Sequence, residues 1–114
     1  MPGRTVGRIQ TRAAFDQLRR SPSRASSGPI RATFVPVDPG APGLYPQVGY
    51  AIGKQCGNAV VRNTLRRRAR EIARAQAGQL PPGTYLLRFA PNSTTLSSVD
   101  LSRCISHAMR RASS

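Results

Sequence analysis

Acidic residues are scarce in this chain and tryptophan is absent. The 114 residues include 18 Lys and Arg residues against 4 Asp and Glu residues, which gives a formal net charge of +14 at pH 7. So large an excess of one sign repels itself in a compact fold, and it is typical of proteins that bind a polyanion. Nucleic acid is the first candidate for that partner, and an anionic membrane surface is the second.

Lysine is nearly absent as well, because Lys54 is the only one and every other basic side chain is an arginine. The planar guanidinium group of arginine can bind two phosphate oxygens at once, whereas an ammonium group acts as a point charge. A GC-rich genome would produce the same preference for arginine. The composition therefore favours a phosphate-binding protein without establishing one.

The residues that enzymes use for catalysis are also few. Cys56 and Cys104 lie far apart and lack the spacing of metal ligands, so we expect two free thiols. His107 is the only histidine, and the four acidic residues are scattered along the chain. Acid–base or nucleophilic catalysis needs paired carboxylates or a histidine beside a nucleophile. The sequence therefore predicts no catalytic residue and no metal-binding residue.

Long apolar runs are missing too. No segment has the length and hydrophobicity of a membrane span, and the basic N-terminus lacks the apolar stretch of a signal peptide. We therefore expect a cytoplasmic protein that does not contact a membrane. The chain length predicts a single domain over residues 1–114, with a modest core and a loose basic segment at about 1–10.

Hydrophobic periodicity predicts three helices and three strands. Asn58 and Ser97 have the positions of N-caps, Gly78 is a possible helix stop, and Pro36 indicates an edge strand. The order of elements predicts an α+β fold, a two-layer sandwich in which a small mixed sheet packs with about three helices. Helices are expected at about 11–20, 59–77 and 97–111, a loop at 21–29, and strands at 30–37, 48–53 and 84–90.

The predicted central helix has two contrasting stripes. Val61, Leu65 and Ala69 belong to an apolar stripe, and the arginines are expected on the opposite side. Like charges four residues apart destabilise a helix by a few tenths of a kcal/mol per pair, a cost that phosphate groups would remove. The alternative is a solvated basic face. We call the basic stripe the arginine ridge, and it consists of Arg62, Arg66, Arg67, Arg70 and Arg74, with Asn63 on the same side.

The turn before this helix strengthens the case for a phosphate site. Lys54 lies between two glycines, Gly53 and Gly57, and the Asn58 cap follows directly. Backbone N–H groups and the positive end of a helix dipole form a usable anion site. Next to the arginine ridge, this turn predicts a continuous phosphate-binding surface.

These segments together resemble the signature of the bacterial ribonuclease P protein. In that family a strand ends in two lysines, and a turn leads to a helix that carries Arg-Asn-Arg and further basic residues. The resemblance is dense over residues 48–74, and Arg8, Phe15 and the segment 104–111 fit the rest of the family pattern. Gln55 and Thr64 replace basic residues of the pattern, and we expect Arg68 to offset their loss. The matching segments are Val48-Gly49-Tyr50-Ala51-Ile52-Gly53-Lys54, Gly57-Asn58-Ala59-Val60-Val61-Arg62-Asn63, Leu65-Arg66-Arg67 and Arg70.

The resemblance implies the protein subunit of a ribonuclease P, whose catalyst is an RNA that uses Mg²⁺. The subunit would bind the catalytic RNA and the 5′ leader of precursor tRNA, and would aid endonucleolytic removal of the leader. The protein itself would supply no dedicated metal ligand, and no protein partner is evident. The resemblance also implies a left-handed strand–helix–strand crossover, which the general preference for right-handed crossovers would not predict.

Site residues follow from the resemblance together with the ridge. Phe15 could instead belong to the core, and Phe34 lies on a strand that aligns less securely. The alternative functions are a ribosomal or other structural RNA-binding protein, a nucleoid DNA-binding protein and a free-standing nuclease. The predicted RNA-binding residues are Lys54, Asn58, Arg62, Asn63, Arg66, Arg67, Arg70 and Arg74, and the predicted residues of the leader-binding cleft are Arg8, Phe15 and Phe34.

Overall fold

The computed structural model describes residues 12–36 and 46–114, which form three α-helices and a four-stranded sheet. The predicted α+β fold with a small mixed sheet is confirmed. The segment 1–10, predicted to be loose, lies outside the described residues. In chain order the elements are α1 (Arg12–Arg20), β1 (Arg24–Ser27), β2 (Ile30–Pro36), β3 (Gln47–Ile52), α2 (Ala59–Gln76), β4 (Gly83–Phe89) and α3 (Ser98–Ala112).

The strands are arranged in the order β1-β2-β4-β3. Strand β2 is antiparallel to both β1 and β4, whereas β3 and β4 are parallel neighbours joined through α2. This β3–α2–β4 connection is the strand–helix–strand unit expected from the sequence. The left hand of its crossover stays a prediction.

Strand β1 was not expected, because the sequence predicts a loop at 21–29. Arg24–Ser27 contains no β-branched or aromatic residue, so strand propensity alone gives little signal. The strand exists because it forms a hairpin with β2, in which Ser27 pairs with Ile30. The two-residue turn between them begins with Gly28 at φ 57°, a conformation that glycine adopts without steric cost.

The prediction that Pro36 marks an edge strand is wrong, since β2 lies between β1 and β4. Pro36 is the last residue of β2 and pairs with Gly83 of β4. The pairing with β1 ends earlier, at Thr33. A missing N–H group is therefore tolerated, because none of the described strands runs beside Pro36 on its other side.

Both predicted N-caps are confirmed. The Asn58 side-chain oxygen accepts a hydrogen bond from the Val61 N–H group at 3.0 Å, and the Ser97 hydroxyl accepts one from the Asp100 N–H group at 3.1 Å. The end of α2 differs from the expectation. Gly78 does not stop the helix by itself, because α2 passes into a short 3₁₀ helix, Ala77–Gln79, that contains it.

The core lies between one face of the sheet and helices α2 and α3. Alternate residues of β2, β4 and β3 point into it, as the register of the sheet requires. Helix α2 contributes Leu65 and Ala69, and α3 contributes Leu101 and Ile105. The strand residues buried in this core are Ile30, Ala32, Phe34, Val48, Ile52, Tyr85, Leu87 and Phe89.

Tyr85 is the largest fully buried side chain of the core. Its ring lies against that of Phe34 with the centroids 4.7 Å apart, and its hydroxyl donates a hydrogen bond to the Pro81 carbonyl at 2.7 Å. Burial raises the pKa of Tyr85 to about 12, from a usual value of 10.0. The hydroxyl is therefore held in its neutral form in the folded protein.

This raised pKa predicts a loss of stability in alkali. Between about pH 10 and pH 12 the unfolded chain loses the phenolic proton while the folded chain keeps it. The free energy of unfolding should therefore be independent of this group below pH 10 and should fall by about 2 kcal/mol as the pH rises to 12. Thermal unfolding of the wild type and of Tyr85→Phe across this range measures the effect. An equally steep decline in Tyr85→Phe would contradict the assignment.

Candidate nucleic-acid interface

The arginine ridge runs along one flank of α2. Arg67, Arg70 and Arg74 are exposed, whereas Arg62 and Arg66 are half-buried. The ridge therefore does not lie fully opposite the apolar stripe, as the sequence suggested. It begins at the edge of the core and turns outward along the helix, because the members spaced four residues apart, from Arg62 to Arg74, each advance by about 40° around the axis.

The charge of this ridge is not neutralised within the described part of the chain. The ion pairs found there join Arg19 to Asp16 and Arg103 to Asp100, and neither involves α2. Arg66 donates a hydrogen bond to the Asn63 side-chain oxygen at 3.0 Å, which fixes its guanidinium group on the helix surface. The ridge thus presents uncompensated positive charge to solvent.

Tyr50 of β3 lies beside the outer part of the ridge. Burial raises the pKa of Tyr50 to about 12, and the positive charges of Arg70 and Arg74 oppose this rise. The hydroxyl therefore stays protonated at neutral pH and remains a hydrogen-bond donor. The proximity of Tyr50 places the ridge on the side of α2 that faces the β3 edge of the sheet.

The turn between β3 and α2 has the compact form that the sequence predicts. Lys54–Cys56 form one turn of 3₁₀ helix, in which the side chain of Lys54 is exposed and that of Cys56 is buried. Gly57 follows at φ 134°, and a side chain there would also approach Val61 to 3.0 Å. The Asn58 cap occupies one of the N–H groups that a helix start leaves unpaired, so others can bind an anion.

The three residues that depart from the family pattern lie in different places in the structure. Thr64 donates a hydrogen bond to the Val60 carbonyl at 2.9 Å, within α2 itself. Arg68 donates one to the Leu96 carbonyl at 3.1 Å, on the flank of α2 that faces α3. Arg68 therefore cannot offset the missing charges of the ridge, and that expectation is wrong. Gln55 is exposed and points to a cavity on the other side of the turn.

The face of the sheet opposite α2 and α3 is only partly covered, and we call it the open face. Helix α1 contacts β2 and β4, and Leu18 is 2% exposed although it is not part of the core cluster. Thr33 and Leu86, which are paired across β2 and β4, point to this side and are buried. Helix α1 therefore covers the middle of the open face.

Next to this helix, two arginines stand side by side on the open face. Arg31 of β2 pairs directly with Arg88 of β4, and Ser26 and Ala51 continue the same row onto β1 and β3. Both arginines are exposed, and like charges directly opposite each other destabilise a sheet. An anion between the two guanidinium groups would remove this repulsion.

This row lines a cavity of about 630 Å³ at the end of the sheet. Its wall also includes Gly53 and Gln55 from the turn that leads to α2. The cavity and the start of the arginine ridge therefore lie on either side of one short turn. Sequence reasoning missed Arg31 and Arg88 as a pair, although strand alternation places each of them away from the core.

Of the three residues predicted to line the leader-binding cleft, the structure describes the side chain of Phe34 alone. Phe34 is 6% exposed and packs in the core on the face away from α1, so the prediction that it lines a leader-binding cleft is wrong. Its alternation with Arg31 points it to the opposite side of the sheet. Phe15 lies on α1, but its side chain is outside the described part, and Arg8 is outside it entirely. Phe15 and Arg8 stay predictions.

Among the described residues, no three His, Cys, Asp or Glu side chains are close enough together to hold a metal ion. None of the described helices combines the length and the apolar character that crossing a membrane requires. Cys56 and Cys104 are free thiols, as expected.

Comparisons with known proteins converge on one family. A family model described as Ribonuclease P matches residues 4–113. A ribonuclease P protein component of Thermobifida fusca is 37% identical over 108 residues, which make up 90% of this chain and 74% of that protein. One from a Synechococcus strain is 40% identical over 81 residues, which make up 70% of this chain and 61% of that protein.

Solved structures show the same fold at lower identity. The ribonuclease P protein of Thermotoga maritima superposes with a TM-score of 0.77 at 18% identity, over 91% of this chain and 96% of that one. The protein of Staphylococcus aureus superposes with a TM-score of 0.74 at 16% identity, over 99% of this chain and 92% of that one. Both comparisons support the architecture of the sheet and helices.

Proposed function

The chain belongs to the ribonuclease P protein family, and from this premise we propose that it is the protein subunit of a ribonuclease P. In this proposal the arginine ridge and the turn before it bind the catalytic RNA. The open face binds the 5′ leader of precursor tRNA. The holoenzyme cleaves the precursor endonucleolytically and leaves the mature 5′ end of the tRNA.

The observation that carries the proposal is the uncompensated charge of the ridge. Six arginines lie along α2, five of them on the ridge, and none of the six forms an ion pair within the described residues. Phosphates along a nucleic-acid strand recur at a spacing comparable to one helical turn, so one backbone can bind several of these side chains. Because the contact is to phosphates, it positions the protein without depending on base sequence.

The open face has the properties of a site for a single strand. Helix α1 rises on one side of the Arg31–Arg88 pair, and the Gly53–Gln55 turn lies on the other. In the proposal, one extended strand lies between these two elements. Arg31 and Arg88 would bind leader phosphates, and Phe15 of α1 would stack on a leader base.

Catalysis in this proposal belongs to the RNA subunit and its Mg²⁺ ions. The described acidic side chains are dispersed, so RNA phosphates rather than protein carboxylates would bind the metal. The protein would act by neutralising phosphate charge where two RNA molecules approach each other. It would also hold the leader, which increases affinity for precursor tRNA over mature tRNA.

Reconstitution tests the proposal. Protein purified free of RNA and incubated with Mg²⁺ and precursor tRNA is expected to leave the substrate intact, because it lacks a catalytic constellation. Addition of the cognate ribonuclease P RNA at near-physiological salt should produce cleavage at the mature 5′ end. Cleavage by RNA-free protein would mean that the protein carries a nuclease site.

The identity of the preferred RNA separates this function from its main alternative. A ribosomal or other structural RNA-binding protein would bind ribosomal RNA fragments as tightly as ribonuclease P RNA. We expect the ribonuclease P RNA to be preferred in direct competition at a fixed salt concentration. Equal or tighter binding to ribosomal RNA would contradict the proposal.

A further inference from the structure

A polar groove of about 360 Å³ lies between α2 and α3. It occupies the flank of α2 that faces away from the arginine ridge, so it is separate from the surface described above. Gln76 lines the groove and is only 7% exposed. Within the described part of the chain, neither the oxygen nor the nitrogen of its side-chain amide has a hydrogen-bond partner.

An unpaired buried amide lowers the stability of a protein, because its hydrogen bonds to water are lost on folding and not replaced. Ile72, one helical turn before Gln76, lies on the same flank and packs against the core. An apolar residue at position 76 would extend that packing without the loss of stability that an unpaired amide causes. A glutamine at this position is explained if a ligand forms the hydrogen bonds that its side-chain amide lacks.

The walls of the groove add hydrogen-bonding groups. Ser98, Ser102 and Ser106 recur every fourth residue and so share one side of α3. Glu71 enters from α2, and its carboxylate forms no ion pair within the described residues. Hydroxyl groups can donate or accept, so the groove can match a ligand that has both donors and acceptors on one edge.

Arginines stand at both rims of the groove. Arg68 lines one side, where it is anchored to the Leu96 carbonyl. Arg110 of α3 donates a hydrogen bond to the side-chain oxygen of Gln79, another residue of the lining, at 3.0 Å. A neutral hydrogen-bonding floor between two guanidinium groups suits a ligand with a neutral polar ring and flanking phosphates.

We propose that this groove binds one unstacked adenine nucleotide of an RNA. The amide of Gln76 presents one donor and one acceptor, which is the pattern that pairs with N7 and the N6 amino group of adenine. The serine hydroxyls and Glu71 can bind the ribose hydroxyl groups, and Arg68 and Arg110 the adjacent phosphates. The inference rests on the proposed function in that the ligand belongs to an RNA partner.

Titration with nucleosides tests the groove. Adenosine is the probe and purine riboside, which lacks only the N6 amino group, is its control, since both lack the phosphate that would bind the basic surface without selectivity. In NMR spectra of the isotopically labelled full chain, adenosine should shift the resonances of Gln76 and Ser102, and purine riboside should shift them much less. Gln76→Met should weaken adenosine binding by about tenfold or more, because one bidentate contact to a base is lost.

Two controls complete the test. The Tm of Gln76→Met should equal or exceed that of the wild type, because an unpaired amide is replaced by an apolar chain of similar length. Gln17→Met, on the exposed surface of α1, should leave adenosine binding unchanged. A lower Tm with unchanged adenosine binding would overturn the proposal, since the amide would then have a purely structural role.

Measurements on the wild type separate this inference from the proposed function. Binding of ribonuclease P RNA and reconstituted cleavage are measured on the wild type beside the nucleoside titration. Normal RNA binding and cleavage together with no adenosine shift at the groove would overturn the adenine site alone. Failure of the wild type to bind ribonuclease P RNA would instead overturn the proposed function, whatever the nucleoside result.

Discussion

Replacement of Arg67 and Arg70 with glutamine is expected to weaken binding to ribonuclease P RNA by roughly 100-fold or more. A hydrogen bond to a charged group contributes about 1.5–3 kcal/mol, and two such contacts would be lost. Each lost phosphate contact should also reduce the slope of log K against log salt concentration by about 0.7–0.9. Both side chains are exposed, so the fold should survive. Affinity measured at several salt concentrations gives both quantities.

A second double variant controls for the loss of net charge. Arg103 and Arg111 are exposed residues of α3, a helix that lies on the other side of α2 from the ridge. Arg103→Gln/Arg111→Gln removes the same two charges but should change the salt slope little. If both double variants weaken binding equally, the RNA responds to overall charge, and the ridge is not a specific contact surface.

The helices and their caps were predictable because local chemistry determines them. Asn58 precedes an apolar stripe at helical spacing, and the structure shows its side chain bonded to the Val61 N–H group. Strand β1 was not predictable in the same way. Arg24–Ser27 is a strand only because β2 is available to pair with it, and no pattern inside those four residues contains that information.

The arginine ridge and the Arg31–Arg88 pair differ in how well the sequence predicts them, and the reason is similar. The arginine ridge is a property of one helix, so spacing alone brings its members together. The Arg31–Arg88 pair joins residues 57 positions apart, and it exists because β2 and β4 are neighbours in a particular register. That register also turns Phe34 into the core. Alternation within β2 predicts that Arg31 and Phe34 point to opposite sides, which was sufficient to exclude Phe34 from any cleft containing Arg31.

The second large effect is expected from substitutions on the open face. Arg31→Gln/Arg88→Gln is expected to weaken holoenzyme binding to precursor tRNA by roughly 100-fold or more, because two charge-assisted contacts to leader phosphates are lost. Affinity for the ribonuclease P RNA alone should change little, since the ridge is intact. The effect should disappear for a substrate whose leader is shortened to one or two nucleotides, because no phosphate would then reach the cavity.

Stability distinguishes this explanation from damage to the fold. Arg31 and Arg88 repel each other across β2 and β4, so their replacement should leave the Tm unchanged or raise it slightly, by the equivalent of about 0.2–1 kcal/mol. A protein that is more stable and yet binds long-leader substrate more weakly has lost a binding contact. Arg103→Gln/Arg111→Gln again serves as the matched loss of charge, and it should bind long- and short-leader substrates as the wild type does. If the Arg31→Gln/Arg88→Gln variant lost affinity equally for both leader lengths, the leader would have to lie elsewhere on the protein.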